Sequence, residues 1–244
     1  AGTAGSPLLV AVSLWKDPVL WCIAPMNFAF GFEAAFMNGY VNAVYAKPQL
    51  GEAWVGYLGA ATALVGAIFS FVFGVVAMRG GTKGPILLIG SVSFIILPLL
   101  AWKAQLGVWG YWLLVPYAIQ GVGRSVYEST NRGIFADFFP GDKAEGAFAN
   151  QMMQSTLSFA VCFFFSATLS KDSLSFIILI FSVAVYPGYI LSCRLRRFAE
   201  HEEQERVGGA APFDVDVEEP TVASSAVTSS ADAAGRASLR ARAP

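Results

Sequence analysis

Charged residues and histidine are scarce in this sequence. Charged residues make up 14% of the 244 positions while 55% are hydrophobic, and the mean hydropathy is +0.56. Soluble domains carry about 25% charged residues, so this composition indicates a polytopic membrane protein whose first partner is the lipid bilayer. The 16 lysines and arginines are balanced by 17 acidic residues. Because there is no basic surplus, no nucleic-acid partner is expected.

The residue patterns that support catalysis are also missing. The single histidine, His201, lies in an acidic segment near the C-terminus, so no serine–histidine pair is expected inside the membrane. The three cysteines show neither a disulfide framework nor metal-ligand spacing. Gly121 and Gly123 lack the third glycine of a dinucleotide fingerprint, and no Walker or His-Glu-x-x-His pattern occurs. We therefore expect no enzyme activity, no cofactor and no metal site.

Six stretches are long and apolar enough to cross a bilayer, for which about 20 apolar residues suffice. They cover residues 18–46, 54–78, 86–102, 109–136, 144–169 and 173–193. The sequence thus predicts a lead-in at 1–17, a six-helix transmembrane domain at 18–195 and a disordered tail at 196–244, acidic and then rich in alanine and serine. Because the chain starts at Ala1 without a basic leader, we expect an incomplete or processed N-terminus.

The basic residues of the short loops predict the orientation of these spans. One side receives Lys16, Arg79, Lys83, Lys143, Arg194, Arg196 and Arg197, and the other side receives only Lys47, Lys103 and Lys171. Cytosolic loops carry the excess of lysine and arginine, so both termini are predicted to be cytosolic. The sequence does not distinguish the plasma membrane from internal membranes.

The fourth span carries ionisable side chains near its middle. Arg124 and Glu128 are four residues apart and Asn131 follows three later, which predicts that all three project from nearly one helix face. Ionisable groups in hydrocarbon are costly and mark a bundle interior, where these two serve either as a structural ion pair or as charge-handling groups. A small-residue row beside them favours close helix packing: Gly121, Ser125, Ser129 and Gly133.

Other spans supply further polar and small residues. In the first span, a stripe at helical spacing contains Asn27, Gly31, Ala34, Asn38 and Asn42. Its asparagines either bond adjacent helices or line a cavity. Glu33 lies on another side of that span, and its carboxyl must be paired, protonated or hydrated. Gln154 belongs to a polar arc on the fifth span that suggests a hydrated cavity. The second span has a packing row at Gly59, Ala63 and Ala67.

Two segments resemble the uncoordinated-ninety-three-like family of ion-channel regulators, within the major facilitator superfamily. Residues 25–36 are similar to the family's seventh helix, and residues 121–140 together with 147–150 are similar to its tenth and eleventh. The resemblance covers about residues 15–197. It implies an all-α fold corresponding to the C-terminal six-helix half of a twelve-helix protein, completed by the missing N-terminal half or by a partner chain.

The resemblance leaves two functions open. The first is regulation or trafficking of a channel or receptor through helix contacts. The second is secondary transport of a small solute or ion through a central polar cavity. In a transporter, Glu33, Arg124 and Glu128 would handle charge, whereas in a regulator they would only hold the bundle in one conformation.

Overall fold

The computed structural model describes residues 7–78, 82–166 and 168–208, and its regular elements within these ranges are all helical. The α-helices are α1 (Pro7–Ser13), α2 (Pro18–Ala35), α3 (Lys47–Leu50), α4 (Glu52–Ala77), α5 (Lys83–Lys103), α6 (Leu114–Val126), α7 (Arg132–Phe138), α8 (Lys143–Phe165) and α9 (Lys171–Gly208). A π-helical segment, Phe36–Ala46, joins α2 to α3, and another, Tyr127–Asn131, joins α6 to α7. Short 3₁₀ turns occupy Leu14–Lys16, Leu106–Val108 and Gly110–Leu113.

Within the described ranges, four helices are long and apolar enough to cross a membrane: Pro18–Leu50, Glu52–Ala77, Lys83–Lys103 and Lys171–His201. They overlap the first, second, third and sixth predicted spans, and they confirm an all-α membrane protein. The regions of the fourth and fifth predicted spans are also helical, as α6–α7 and α8. Both contain many polar residues, so the count of six membrane crossings stays a prediction.

Local sequence explains where the first long helices begin and end. Asp17 caps α2, because its side chain accepts a 2.9 Å hydrogen bond from the Val19 N–H, and Pro18 suits the first helical position. Gly51 has a φ of 91°, which only glycine adopts without strain. The chain therefore breaks at Gly51 and starts α4 in a new direction.

The helices pack through backbone approaches at two glycines. A Cβ atom on Gly31 of α2 would lie 2.2 Å from the Ser155 carbonyl oxygen of α8. A Cβ on Gly121 of α6 would lie 2.7 Å from the Thr62 carbonyl oxygen of α4. Large side chains such as Phe94, Phe135 and Tyr117 are buried in the core. The core therefore joins α2 to α8 and α6 to α4, with α5 packed on α6.

The ends of the domain differ from the sequence prediction. The predicted lead-in contains α1, which is docked on α8, since the Asn150 side chain donates a 2.8 Å hydrogen bond to the Ala11 carbonyl. At the other end, α9 continues through the predicted boundary at 195 to Gly208, with His201 exposed on it. The rest of the predicted tail, 209–244, lies outside the described residues, and so does Arg79 of the predicted basic turn.

The predicted membrane orientation can be tested on α5. This helix has 21 residues, and at about 1.5 Å per residue its two ends, Lys83 and Lys103, lie about 30 Å apart. In a background without the native cysteines, a cysteine at 103 is expected to react with a membrane-impermeant maleimide only from the non-cytosolic side. A cysteine at 83 is expected to react only from the cytosol. Labelling of both from one side would overturn the orientation.

Candidate functional site

Three amide side chains join three helical segments inside the bundle. Asn131 Nδ2 donates to Asn27 Oδ1 at 2.8 Å, and Asn27 Nδ2 donates to Gln154 Oε1 at 2.7 Å. All three residues are at most 2% exposed. Asn27 belongs to α2 and Gln154 to α8, while Asn131 ends the second π-helical segment. Buried amides of this kind connect helices that hydrophobic contact alone does not hold together in lipid.

A tyrosine strengthens the same junction. Tyr127 donates its hydroxyl to Ser155 Oγ at 2.8 Å, and its ring stacks on Phe30 with centroids 3.9 Å apart. Among the described residues, two buried amide nitrogens nearby have no hydrogen-bond partner, Nε2 of Gln151 and Nε2 of Gln154. The junction therefore keeps unused donors, which favours a site that accepts a further polar group or water.

Glu33 is a second polar feature of α2 and is fully buried, with 0% exposure. Within the described part of the chain, no donor is in hydrogen-bonding geometry to either carboxyl oxygen. Gln120 and Arg124 of α6 lie near this carboxyl. A carboxylate buried without a bonded partner is very costly, so this arrangement is stable only when the carboxyl is neutral.

Arg124 and Glu128 form an ion pair at the edge of the bundle. The Arg124 Nε and Glu128 Oε1 atoms are 2.8 Å apart, and the side chains are 43% and 36% exposed. The structure thus brings the two together as the sequence predicts, but it leaves them half-exposed instead of enclosing them. Exposed charge at membrane depth is unfavourable against lipid. This face is therefore expected to border protein or water.

Asn131 does not share that face, although its sequence spacing predicts that it does. Glu128 and Asn131 both lie in the π-helical segment Tyr127–Asn131, Glu128 near its start and Asn131 at its end. Because a π-turn adds one residue to a helical turn, it rotates the following residues by about 100°. Asn131 therefore points to Asn27, while Arg124 and Glu128 remain at the edge.

The first π-helical segment similarly ends the predicted stripe on the first span. Asn27 and Gly31 are buried against α8, but Asn38 is exposed. Asn42 is half-buried and accepts a hydrogen bond from the Tyr117 hydroxyl. The single helical stripe that the spacing predicts is therefore split between two environments.

The two predicted small-residue rows have different surroundings. In the row that runs from α6 to α7, Gly121 lies against α4, and an ideal Cβ on Gly133 would lie 3.5 Å from the Lys83 ammonium nitrogen. Ser125 and Ser129 donate to carbonyls of their own helix, Val122 and Ser125 respectively. In contrast, the α4 row is exposed in this chain, at Gly59, Ala63 and Ala67.

Sequence reasoning missed Gln120 and Thr62. The Thr62 hydroxyl lies 3.0 Å from the Tyr117 carbonyl oxygen and 3.4 Å from Gln120 Oε1, which links α4 to α6. Tyr117, Gln120 and Arg124 follow the three-to-four spacing of one helix face. That spacing is the feature of the sequence that could have identified Gln120. It extends the polar face toward the start of α6.

The role of the half-exposed ion pair can be tested by thermal unfolding of the full-length protein in detergent. If the pair is structural, Glu128→Gln should lower the melting temperature by leaving the guanidinium unpaired, and adding Arg124→Gln should restore most of that loss. The control is Lys47→Gln with Glu52→Gln, a more exposed pair at 3.0 Å, for which little change is expected. A Glu128→Gln variant as stable as wild type would rule out the structural role.

The fold and this buried polar junction define the class: an all-α membrane protein with an amide-linked interior. Comparison with curated proteins then shows similarity to unc-93 homolog A of zebrafish (Danio rerio), 28% identical over 65% of this chain and 34% of that protein. The cattle (Bos taurus) protein is 29% identical over 67% of this chain and 36% of that protein. The Xenopus laevis protein is 24% identical over 82% of this chain and 42% of that protein. The resemblance to the unc-93-like family is thereby confirmed.

The chain spans about two-fifths or less of the length of these curated relatives. No family model matches the sequence, and no solved structure matches it. Its correspondence to the C-terminal half of a major facilitator protein therefore stays a prediction.

Proposed function

We propose that this chain is part of an unc-93-like membrane protein that regulates or traffics a channel or receptor through helix contacts. The observation that carries this proposal is the exposed face of α4. Only 17% of the most apolar stretch of α4 is buried, against 56% for α5. A helix so little covered by its own chain has surface available for other membrane-spanning helices.

The composition of that face suits a helix better than lipid. It presents Gly59, Ala63 and Ala67, and an ideal Cβ on Gly59 would meet nothing within 4 Å in the described part of the chain. Lipid contact requires no small residues, whereas close helix packing in membranes does. The Arg124–Glu128 pair lies beside α4, since the Arg124 side chain is 3.8 Å from the ideal Cβ of Gly66. Such a pair would be shielded if protein covered this side.

Two occupants of this face follow from the proposal. The relatives are more than twice as long as the matched region, so the rest of such a protein, an N-terminal six-helix half, can cover part of it. A channel or receptor helix would cover what remains. We assign the row of Gly59, Ala63 and Ala67 to contact with the channel or receptor helix.

The test is a double substitution, Gly59→Leu with Ala63→Leu, in the full-length protein expressed in cells. We expect normal folding and insertion, together with reduced co-purification and altered surface abundance of specific channel or receptor subunits. Leu64→Met, an exposed apolar change on the same helix, is the control. Unchanged association would contradict the proposal. A misfolded double variant would assign the row to contacts inside the protein and would equally exclude the partner role.

Secondary transport is the second candidate, and the unpartnered carboxyl of Glu33 favours it. A buried acid that is neutral in one conformation and paired in another can couple proton binding to a conformational change. In that case, liposomes containing the full-length protein should show proton movement under an imposed potential, read by a trapped pH-sensitive dye, and Glu33→Gln should abolish it. If liposomes with the wild-type protein showed no more proton movement than protein-free liposomes, the transport candidate would have no support.

A further inference from the structure

A cleft of about 790 Å³ opens at the end of the bundle where α2 begins. Its walls come from the start of α2, the end of α7, the start of α8 and the middle of α9, and they include Lys16, Lys143, Arg196, Val19, Phe138 and Leu195. This cleft is separate from the amide junction and from the Arg124–Glu128 pair. Nothing in the proposed partner contacts of α4 uses it.

The cleft lies at a membrane–water boundary. Lys16 and Asp17 immediately precede the apolar helix α2, and Trp15 and Trp21 beside them are 46% and 48% exposed. Tryptophans with an exposed ring and a bonded N–H are typical of the headgroup layer, and Trp21 Nε1 donates to the Trp15 carbonyl at 2.8 Å. A molecule in this cleft would therefore meet the headgroups of one leaflet.

The charges of the cleft favour an anion. Lys16 and Lys143 are exposed, and within the described residues neither forms an ion pair. The walls contain three cations, Lys16, Lys143 and Arg196, but only two carboxylates. Of these, Asp17 accepts from the Val19 N–H and Glu200 pairs with Arg196 at 3.0 Å. Two lysines without an ion pair among the described residues therefore line the cleft.

Arg196 has a fixed position in the same wall. Its guanidinium lies over the Phe138 ring, 5.6 Å from the centroid, and donates to the Asp137 carbonyl as well as pairing with Glu200. Because the contacts with Phe138 and Asp137 join α9 to α7 and the Glu200 pair lies within α9, the guanidinium is held in place before any ligand arrives. A pre-positioned cation lowers the entropy lost on binding.

We propose that this cleft binds the phosphate-bearing headgroup of an anionic lipid. Lys16, Lys143 and Arg196 would contact the phosphate, and the apolar walls at Val19, Phe138 and Leu195 would contact the glycerol and upper acyl carbons. Basic pockets between transmembrane helices at the headgroup level recognise anionic lipids in this way. The apolar walls favour a lipid over free phosphate, which would leave them unused.

The test is native mass spectrometry of the full-length protein with phosphatidylglycerol and phosphatidylcholine. We expect a preference for phosphatidylglycerol that falls about fivefold for each lysine removed, and about 25-fold in the Lys16→Gln, Lys143→Gln double variant. Both side chains are exposed, so folding should be unaffected. The matched control is Lys103→Gln with Lys171→Gln, at helix ends that the sequence predicts to lie on the opposite side of the membrane.

The outcomes separate the alternatives. If the preference for phosphatidylglycerol is lost in the Lys16 and Lys143 double variant but kept in the control variant, the result supports lipid binding in the cleft. An equal loss in the control variant would show a diffuse charge effect and overturn the site. Displacement of phosphatidylglycerol by millimolar inorganic phosphate would show a free-anion site and overturn the assignment to a lipid.

Discussion

A leucine in place of Gly31 is expected to prevent the packing of α2 against α8. Even the Cβ of alanine would lie 2.0 Å from Ser158 Oγ and 2.2 Å from the Ser155 carbonyl oxygen. The hydroxyl can rotate away, but the carbonyl belongs to the backbone of α8, so the two helices must separate. Overpacking of this kind costs about 1–3 kcal/mol, and we expect Gly31→Ala near the upper limit and Gly31→Leu beyond it.

The measurement is the melting temperature and the monodisperse fraction of the full-length protein by fluorescence-detected size-exclusion chromatography. Gly133→Ala is the matched control, because an added Cβ there would lie 3.5 Å from its nearest neighbour, which is ordinary contact. That change should be neutral or slightly stabilising, since alanine favours helix. If Gly31→Ala were as stable as Gly133→Ala, the close approach of α2 and α8 would be wrong.

Replacing Asn27 with leucine should be the second most damaging single change. It removes both interhelical hydrogen bonds of Asn27 and leaves the Asn131 amide and the Gln154 carbonyl unpaired. Each stranded buried group costs about 1–3 kcal/mol in proteins generally. Because a membrane-embedded chain finds other partners when it unfolds, the lower limit applies, which gives about 2 kcal/mol in total.

This loss should appear as a lower midpoint in urea or sodium dodecyl sulfate unfolding. Asn38→Leu on the same span is the control, since Asn38 is exposed, and it should change the midpoint little. In addition, Asn131→Leu combined with Asn27→Leu should cost less than the sum of the two single changes. Strict additivity would show that the two amides do not interact.

Much of the helical framework can be predicted from this sequence, because apolar length and loop residues determine it locally. Asp17 and Pro18 predict the start of α2, as the structure has it. The sequence also predicts that the first span ends at 46, but the helical run continues through Lys47–Leu50 and breaks only at Gly51. The short helix α1 was not predicted. It is held by a contact with Asn150, which lies 139 residues away from Ala11 in sequence.

The candidate site is predictable only in part. Arg124 and Glu128 meet because their contact is local to one helix, and i,i+4 spacing is enough to expect it. The link from Asn131 to Asn27 and Gln154 depends on which helices become neighbours, and a single sequence carries little information on that. Regular spacing also assumes 3.6 residues in every turn, an assumption that the two π-helical segments break.

The π-helical segment Tyr127–Asn131 also indicates where this chain can change length during evolution. A π-turn is one residue more than an α-helical turn requires. Deletion of a single residue within Tyr127–Asn131 would leave a continuous α-helix, with α6 still against α4 and α7 still in its own place. The same deletion inside α6 would turn the residues beyond it by about 100° and separate Asn131 from Asn27. Natural insertions and deletions in related chains should therefore concentrate in this one turn of the polar helix.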